Sequence, residues 1–426
     1  MFKLLILLLL LSFSTPAYAY IDPATGSMLF SICIGITATI FFVAKAVFYK
    51  LSFWTTGFSR HQDKSFSPFV IYSEGKKYWS TFCPILEEFE KRKVTVTFYT
   101  SEEDDPVFSQ SYQSIKPQYI GQGNKAWMKL SLLSADVCLM TTPGLDVYQL
   151  KRSKEVKYYV HVFHGIGDHC DYRLFGLDYY DALMLTTPLN EPYIREIEAK
   201  RHLPAKTLVV AGAPDLDYMA ANLPEPPEKK QHFTVLLAAS WGPEAILAKY
   251  GANLIDKLAA TDWDIIIRPH PQMKISEPAL LTRLQERYKD NKHVRWDENP
   301  NNMIAMSQAD VLISDFSGII FEYSFLFNKS FVYTEFNNNR PIYDASDLEH
   351  PTWKADLLNK IGFELKQDNF THIVDIAQTA AKDTRKLAEI QKAKAQIWSN
   401  PGRAAGIIAD FLIQKQQELS KKEKSC

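Results

Sequence analysis

A chain of 426 residues that is 46% apolar and 13% aromatic can bury two hydrophobic cores of ordinary size. Its formal net charge of −1 gives no whole-chain pull toward nucleic acid, so any basic site must be local. Cys33, Cys83, Cys138, Cys170 and Cys426 are scattered and form neither a disulfide framework nor a CxxC knuckle.

At the start, Lys3 precedes the apolar run 4–11, and Ala17-Tyr18-Ala19 offers a small-x-small cleavage site. Residues 1–19 therefore read as a secretory signal or a first membrane segment. No charge falls between Met28 and Ala44, and the apolar stretch continues past Lys45 to Tyr49, which predicts a transmembrane helix over 28–49. Lys45, Lys50, Arg60 and Lys64 follow it, whereas the preceding loop carries only Asp22. The positive-inside rule then puts the large domain on the cytoplasmic side of the inner membrane.

Beyond the span, Pro68 to Ser73 reads as a strand, Tyr78 to Arg92 as a helix and Val94 to Thr100 as the next strand, a βαβ unit. Short strands follow at 119–120, 137–140, 158–163, 182–185 and 208–210. The run ending at Phe163 places His164 beside Gly165 at a strand terminus, where a parallel sheet can build a site. His161 and His164 are three apart and would face opposite ways in a strand, and a zinc set with His169 and Cys170 fits no standard spacing. Asp215-Leu216-Asp217 looks like a metal-binding DxD but is too short to count. The proline- and charge-rich stretch 223–230 is the clearest linker, dividing a first Rossmann-like domain (66–222) from a second (231–420).

The second series opens with the strand Phe233 to Ala239. Ile265 to Ile267 runs into Arg268-Pro269-His270-Pro271, where two prolines stiffen a loop carrying a planar cation and an imidazole. Val311 to Ile313 is an interior strand, followed by Asp315-Phe316-Ser317-Gly318 and an apolar-periodic helix. Ser317 is the natural N-cap, and the amides of Gly318, Ile319 and Ile320 are expected to be unpaired donors favouring a phosphate. Glu322, one turn on, reads either as an exposed helix carboxylate or as a binder of hydroxyls. The helical stretch 371–398 is expected to cross back to the first domain, and Lys421 to Lys424 reads as a frayed end or a membrane contact. The fold class is α/β: two doubly wound Rossmann-like domains facing a cleft (GT-B), preceded by an N-terminal membrane segment.

In this order, His164-Gly165, Gly212-Ala213-Pro214-Asp215-Leu216-Asp217, Arg268 to Pro271 and Asp315 to Gly318 resemble the CDP-glycerol glycerophosphotransferase family, which includes teichoic-acid primases and polymerases. Two positions depart from the family pattern: Gly318 stands where the turn has a second serine, and Ile166 where a threonine follows the His-Gly pair. The resemblance implies transfer of glycerol phosphate from CDP-glycerol to a hydroxyl of a membrane-linked glycan or polyol-phosphate acceptor, with release of CMP. In that chemistry His164 is the candidate base, while Arg268, His270 and the helix terminus at Ser317, Gly318 and Ile319 would stabilise phosphoryl charge. Asp315 would orient an imidazole or cap the loop, and Gly165, Asp217 and Glu322 are secondary candidates. No cofactor, metal or nucleic-acid partner is expected. The alternatives are another GT-B glycosyltransferase using a nucleotide sugar, and a membrane-tethered binding protein without turnover.

Overall fold

The computed structural model describes residues 34–37, 39–44, 66–225, 230–299, 301–334 and 341–425. Residues 34–37 and 39–44 are helical and expose Ile34, Ile36, Ile40, Phe41, Phe42 and Val43. Among the described residues no helix is long and apolar enough to cross a membrane. The signal over 1–19 and, of the span over 28–49, residues 28–33, 38 and 45–49 lie outside the described residues.

From Phe66 onward the chain is one compact unit. The β-branched and aromatic runs form two all-parallel sheets whose central strands are buried on both faces, as helices covering both sides require. The first holds β1 (Ser67–Ser73), β2 (Val96–Thr100), β3 (Ile115–Tyr119), β4 (Ala135–Met140), β5 (Val156–Val162), β6 (Ala182–Leu185) and β7 (Thr207–Val210), in the order β3-β2-β1-β4-β5-β6-β7. The second holds β8 (Thr234–Ala239), β9 (Asp264–Pro269), β10 (Val294–Trp296), β11 (Val311–Ser314), β12 (Phe331–Thr334) and β13 (Phe363–Leu365), ordered β10-β9-β8-β11-β12-β13. Strand order therefore reverses between β1 and β4 in one sheet and between β8 and β11 in the other. At such switch points the outgoing loops part and leave a crevice at the carboxyl ends of the strands.

The tail departs from expectation. Residues 371–398 split into the helices Ile373–Lys382 and Leu387–Ile397, both packed on the second sheet, and only the end of the latter reaches the first half, where Thr187 Oγ1 donates to the Gln396 carbonyl at 3.0 Å. Ile373, Ala377 and Ala380 join one side's core, and Ile390, Ala393 and Ile397 the other's. The return to the first sheet is made by the helix Ala404–Ser425, which packs on Trp79–Lys91 and β4 and buries Ile408, Ala409 and Leu412 in the first sheet's core. Ile408 and Leu412 each contribute about 1.5–3 kcal/mol when fully buried.

A second tie between the halves is the segment after Pro341. Leu174 donates its amide to the Ile342 carbonyl (2.9 Å), Asp344 donates to Tyr172 (2.8 Å), and Arg201 bonds Asp178 and Asp344 at 2.7 Å each, with Asp347 at 2.6 Å. Trp353 Nε1 donates to Asn190 Oδ1 at 2.9 Å, and Lys354 Nζ to Asp171 Oδ2 at 2.7 Å. Ile166, Ala213, Leu216 and Met219 of the first half share a hydrophobic cluster with Ile319, Ile320 and Tyr323 of the second.

Candidate functional site

The two switch points open onto one cleft of about 700 Å³, within the range of small-molecule sites. The β5 loop brings His164, Gly165 and Ile166 to it, the end of β9 Arg268 and the loop after it His270, and the segment after β11 Ser317, Gly318 and Ile319. Residues far apart in sequence thus meet because each lies at or past the carboxyl end of a strand.

His164 lies just past β5. Its Nδ1 shares a hydrogen bond with the Thr141 hydroxyl at 2.9 Å, and Tyr78 packs its ring at 4.8 Å from the imidazole. Nε2 has no protein partner among the described residues. The surrounding protein, then the positive charge of Lys77 and the nearby His270, push its pKa down to about 4 against the opposing pull of Glu74. At neutral pH the ring is therefore uncharged and able to accept a proton.

His270 is differently set. Its Nδ1 accepts the Gln272 amide at 3.1 Å, which fixes the neutral tautomer with hydrogen on Nε2. It is thus a hydrogen-bond donor without needing a proton from solvent, and burial with Lys77 and Arg268 lowers its pKa. Arg268 does pair with a carboxylate: its Nη1 bonds Asp297 Oδ2 at 2.6 Å and the Asn299 carbonyl at 2.7 Å. That pair is half-buried in the cleft wall rather than out on the surface, so Asp297 holds the guanidinium in place.

The loop after β11 corrects two sequence expectations, for Ser317 and for the Ile320 amide. The helix Ile319–Phe327 is capped at Gly318 without a side-chain bond, so Ser317 is not its N-cap. Asp315 takes the second of its two expected roles, capping the loop from a buried position off the cleft: its Oδ2 accepts the amides of Ser240 (2.9 Å) and Ile246 (3.0 Å) and its Oδ1 that of Ser317 (3.2 Å). Burial raises its pKa to about 6 in spite of those three amides. Ile320 N is already bonded to the Ser317 carbonyl at 3.4 Å, which leaves Gly318 and Ile319 as the amides without a protein partner among the described residues. These two donors sit at the positive end of the helix and line the cleft.

Asp217 is also corrected. Its Oδ1 accepts Trp398 Nε1 at 2.8 Å and its Oδ2 the Ala404 amide at 3.1 Å, which anchors the start of the last helix away from the cleft. Glu322, in contrast, is a cleft residue and not an exposed carboxylate; Asn302 Nδ2 donates to it at 2.6 Å, and burial raises its pKa. A Cβ added at Gly165 would meet no protein atom, so a ligand can approach the backbone there. His161 is a core residue packed among Phe163, Tyr172 and Tyr180. Among the described residues no group of three or more His, Cys, Asp or Glu is arranged to hold a metal ion.

Sequence reasoning missed Thr141, Tyr78 and Lys77, which follow β4 and β1 and are marked only by their position after a strand. It also missed Lys354, nearly buried, whose Nζ reaches the Phe316 carbonyl at 3.2 Å as well as Asp171. The two departures from the family pattern prove to be neighbours: a Cβ at Gly318 would lie 3.6 Å from the Ile166 carbonyl oxygen, in ordinary contact.

Two parallel-sheet Rossmann-like halves with a shared cleft and a C-terminal helix crossing back define the GT-B fold. No protein-family model and no curated protein matches the chain. Among solved structures, the chain is similar to the wall teichoic acid polymerase TagF soaked with CDPG (TM-score 0.52, 14% identity, 85% of this chain and 91% of that one). It is likewise similar to UDP-GlcNAc 2-epimerase from Methanocaldococcus jannaschii in complex with UDP-GlcNAc and UDP (TM-score 0.54, 14% identity, 81% and 99%). The likeness to TagF covers most of the chain and meets the resemblance drawn from the motifs; at this identity what is shared is the fold.

Proposed function

We propose that the protein is a membrane-associated transferase that moves glycerol phosphate from CDP-glycerol to a hydroxyl of a membrane-linked acceptor, releasing CMP, in cell-surface polymer synthesis. The observation that carries this reading is the convergence of an uncharged imidazole, a fixed imidazole donor, a guanidinium and two unpartnered helix-terminal amides on one cleft. Anionic diphosphate would lie against Gly318 and Ile319, with Arg268 and His270 beside it, all from the second half. His164 would take the acceptor proton from the opposite wall, so the first half is the acceptor side. Likeness to a polymerase crystal soaked with CDPG supports the donor assignment. The basic flank after residue 44 supports anchoring to the inner membrane with the cleft in the cytoplasm, where nucleotide-activated donors are made.

CMP release from CDP-glycerol by the purified protein tests the reading directly, and release from UDP- or CMP-sugars alone would replace it. The nucleotide-sugar alternative is favoured by the comparable likeness to the UDP-GlcNAc 2-epimerase. Protease added outside intact spheroplasts should spare the large domain; digestion would overturn the orientation.

A further inference from the structure

β1 and β4 are the strands between which the first sheet's order reverses, and the loops leaving them are where that half should meet a ligand. The β4 loop supplies Thr141, which holds His164. The β1 loop supplies Glu74, Lys76 and Lys77 to the cleft. The two lysines are not equivalent. Lys76 is committed to the β2 loop, with Glu102 Oε1 at 3.2 Å and Asp104 Oδ2 at 2.6 Å. Lys77 stays on its own loop: its Nζ lies 3.2 Å from Glu74 Oε2 and 4.6 Å from the centroid of Tyr78, the ring packed against His164. Its side chain remains 57% exposed to cleft solvent.

We propose that Lys77 binds the phosphoryl group undergoing transfer, as a point charge reaching it from the first half opposite the helix terminus of the second. The inference rests on the transferase reading above. In the transfer, the acceptor oxygen bonds to the distal phosphorus as its proton passes to His164 Nε2. The bond from that phosphorus to the bridging oxygen breaks, and its electron pair leaves with CMP. Negative charge on the equatorial oxygens grows midway between the two walls, and Gly318, Ile319 and Arg268 approach it from one side only. An ammonium on a flexible stem, beside the base and facing the donor loop, answers that charge without touching the proton path. Its influence already registers on both imidazoles, His164 and His270, whose pKa values it lowers while Glu74 opposes it at His164 and Glu277 at His270. Tyr78 and Tyr172, the other groups facing His164, are held neutral by burial.

The test uses the full chain with Lys77→Met and Lys77→Arg, inorganic diphosphate as binding probe and CDP-glycerol as donor. Lys77→Met should weaken diphosphate binding about tenfold and cut kcat/KM for CMP release by about 30-fold or more, the scale of a lost charged hydrogen bond, while Lys77→Arg stays within about threefold of wild type. The imidazole titrations of His164 and His270, followed by NMR, should both move to higher pH in Lys77→Met, and added diphosphate should shift them less in that variant than in wild type, as only a lysine that binds the anion would cause. Unchanged diphosphate affinity in a folded Lys77→Met protein overturns the proposal. If diphosphate binding depends on Lys77 but the wild type releases no CMP from CDP-glycerol, the donor reading fails and Lys77 stands. If CMP is released equally by wild type and Lys77→Met, the reverse holds.

Discussion

The cleft's two walls are built to different tolerances. On the second half, Asp315 gathers three backbone amides from two loops, and Lys354 braces the Phe316 carbonyl from behind, so the donors of Gly318 and Ile319 are fixed before any ligand arrives. On the first half, His164 is held by the Thr141 hydroxyl at 2.9 Å, a longer contact from the Tyr172 hydroxyl at 3.5 Å and the packed Tyr78 ring. A preorganised wall suits a group whose charge must be met without delay, and a lightly held base suits an acceptor that varies in length or approach. The difference teaches that rigidity here follows the phosphate and not the proton.

The largest test of that contrast is His164→Ala, which should lower kcat by ~10²–10⁴-fold with no change in thermal melting, since it removes the proton acceptor alone. His270→Ala should cost ~10²-fold through lost charge stabilisation, again in a folded protein. Asp315→Ala should act on both ledgers: three buried amides lose their acceptor, so stability should fall by about 3 kcal/mol and donor affinity with it. Thr141→Val, which cuts the shorter of the two hydrogen bonds to His164 Nδ1, should reduce kcat by roughly tenfold and leave the denaturation midpoint in place. Equal stability losses for Asp315→Ala and Thr141→Val would erase the distinction between the walls.

The smallest effects sharpen it. The pKa of about 4 at His164 lies below its ordinary value, so protonation, and loss of kcat/KM, should begin only as pH falls well below 6. An acid limb near pH 6.5 would mean that the ring is not in this environment when it works. Bound diphosphate should raise that limb in kcat, because an anion favours the protonated ring. Gly318→Ser has room for its side chain and restores the family's hydroxyl, so donor affinity should rise by about two- to fivefold, with calorimetry as the check.

Much of this was legible in the sequence because parallel strands are read from β-branched runs and their carboxyl ends are where polar residues collect. His164, Arg268, His270 and the Gly318 amide each follow such a run. Ser317 misled because capping preference is local, whereas here the nearby Asp315 turns inward and takes the loop's amides from a buried position. Asp217 misled for the opposite reason: its partners, Trp398 and Ala404, lie some 180 positions away and no spacing announces them. Lys354 and Thr141 had no signal beyond being polar. Ile166 looked like a lost hydroxyl and is instead a hydrophobic contact between halves.

The helix Ala404–Ser425 carries a consequence for how the chain is made. The first sheet is synthesised before the second, yet Ile408, Ala409 and Leu412, which close its core over Trp79–Lys91, emerge only after the second sheet. At ~5–20 residues per second, the apolar face of Trp79–Lys91 stays uncovered for tens of seconds while the whole second half is translated. The nascent protein is thus open on that face until the second half has emerged, which exposes apolar surface to wrong partners in the meantime.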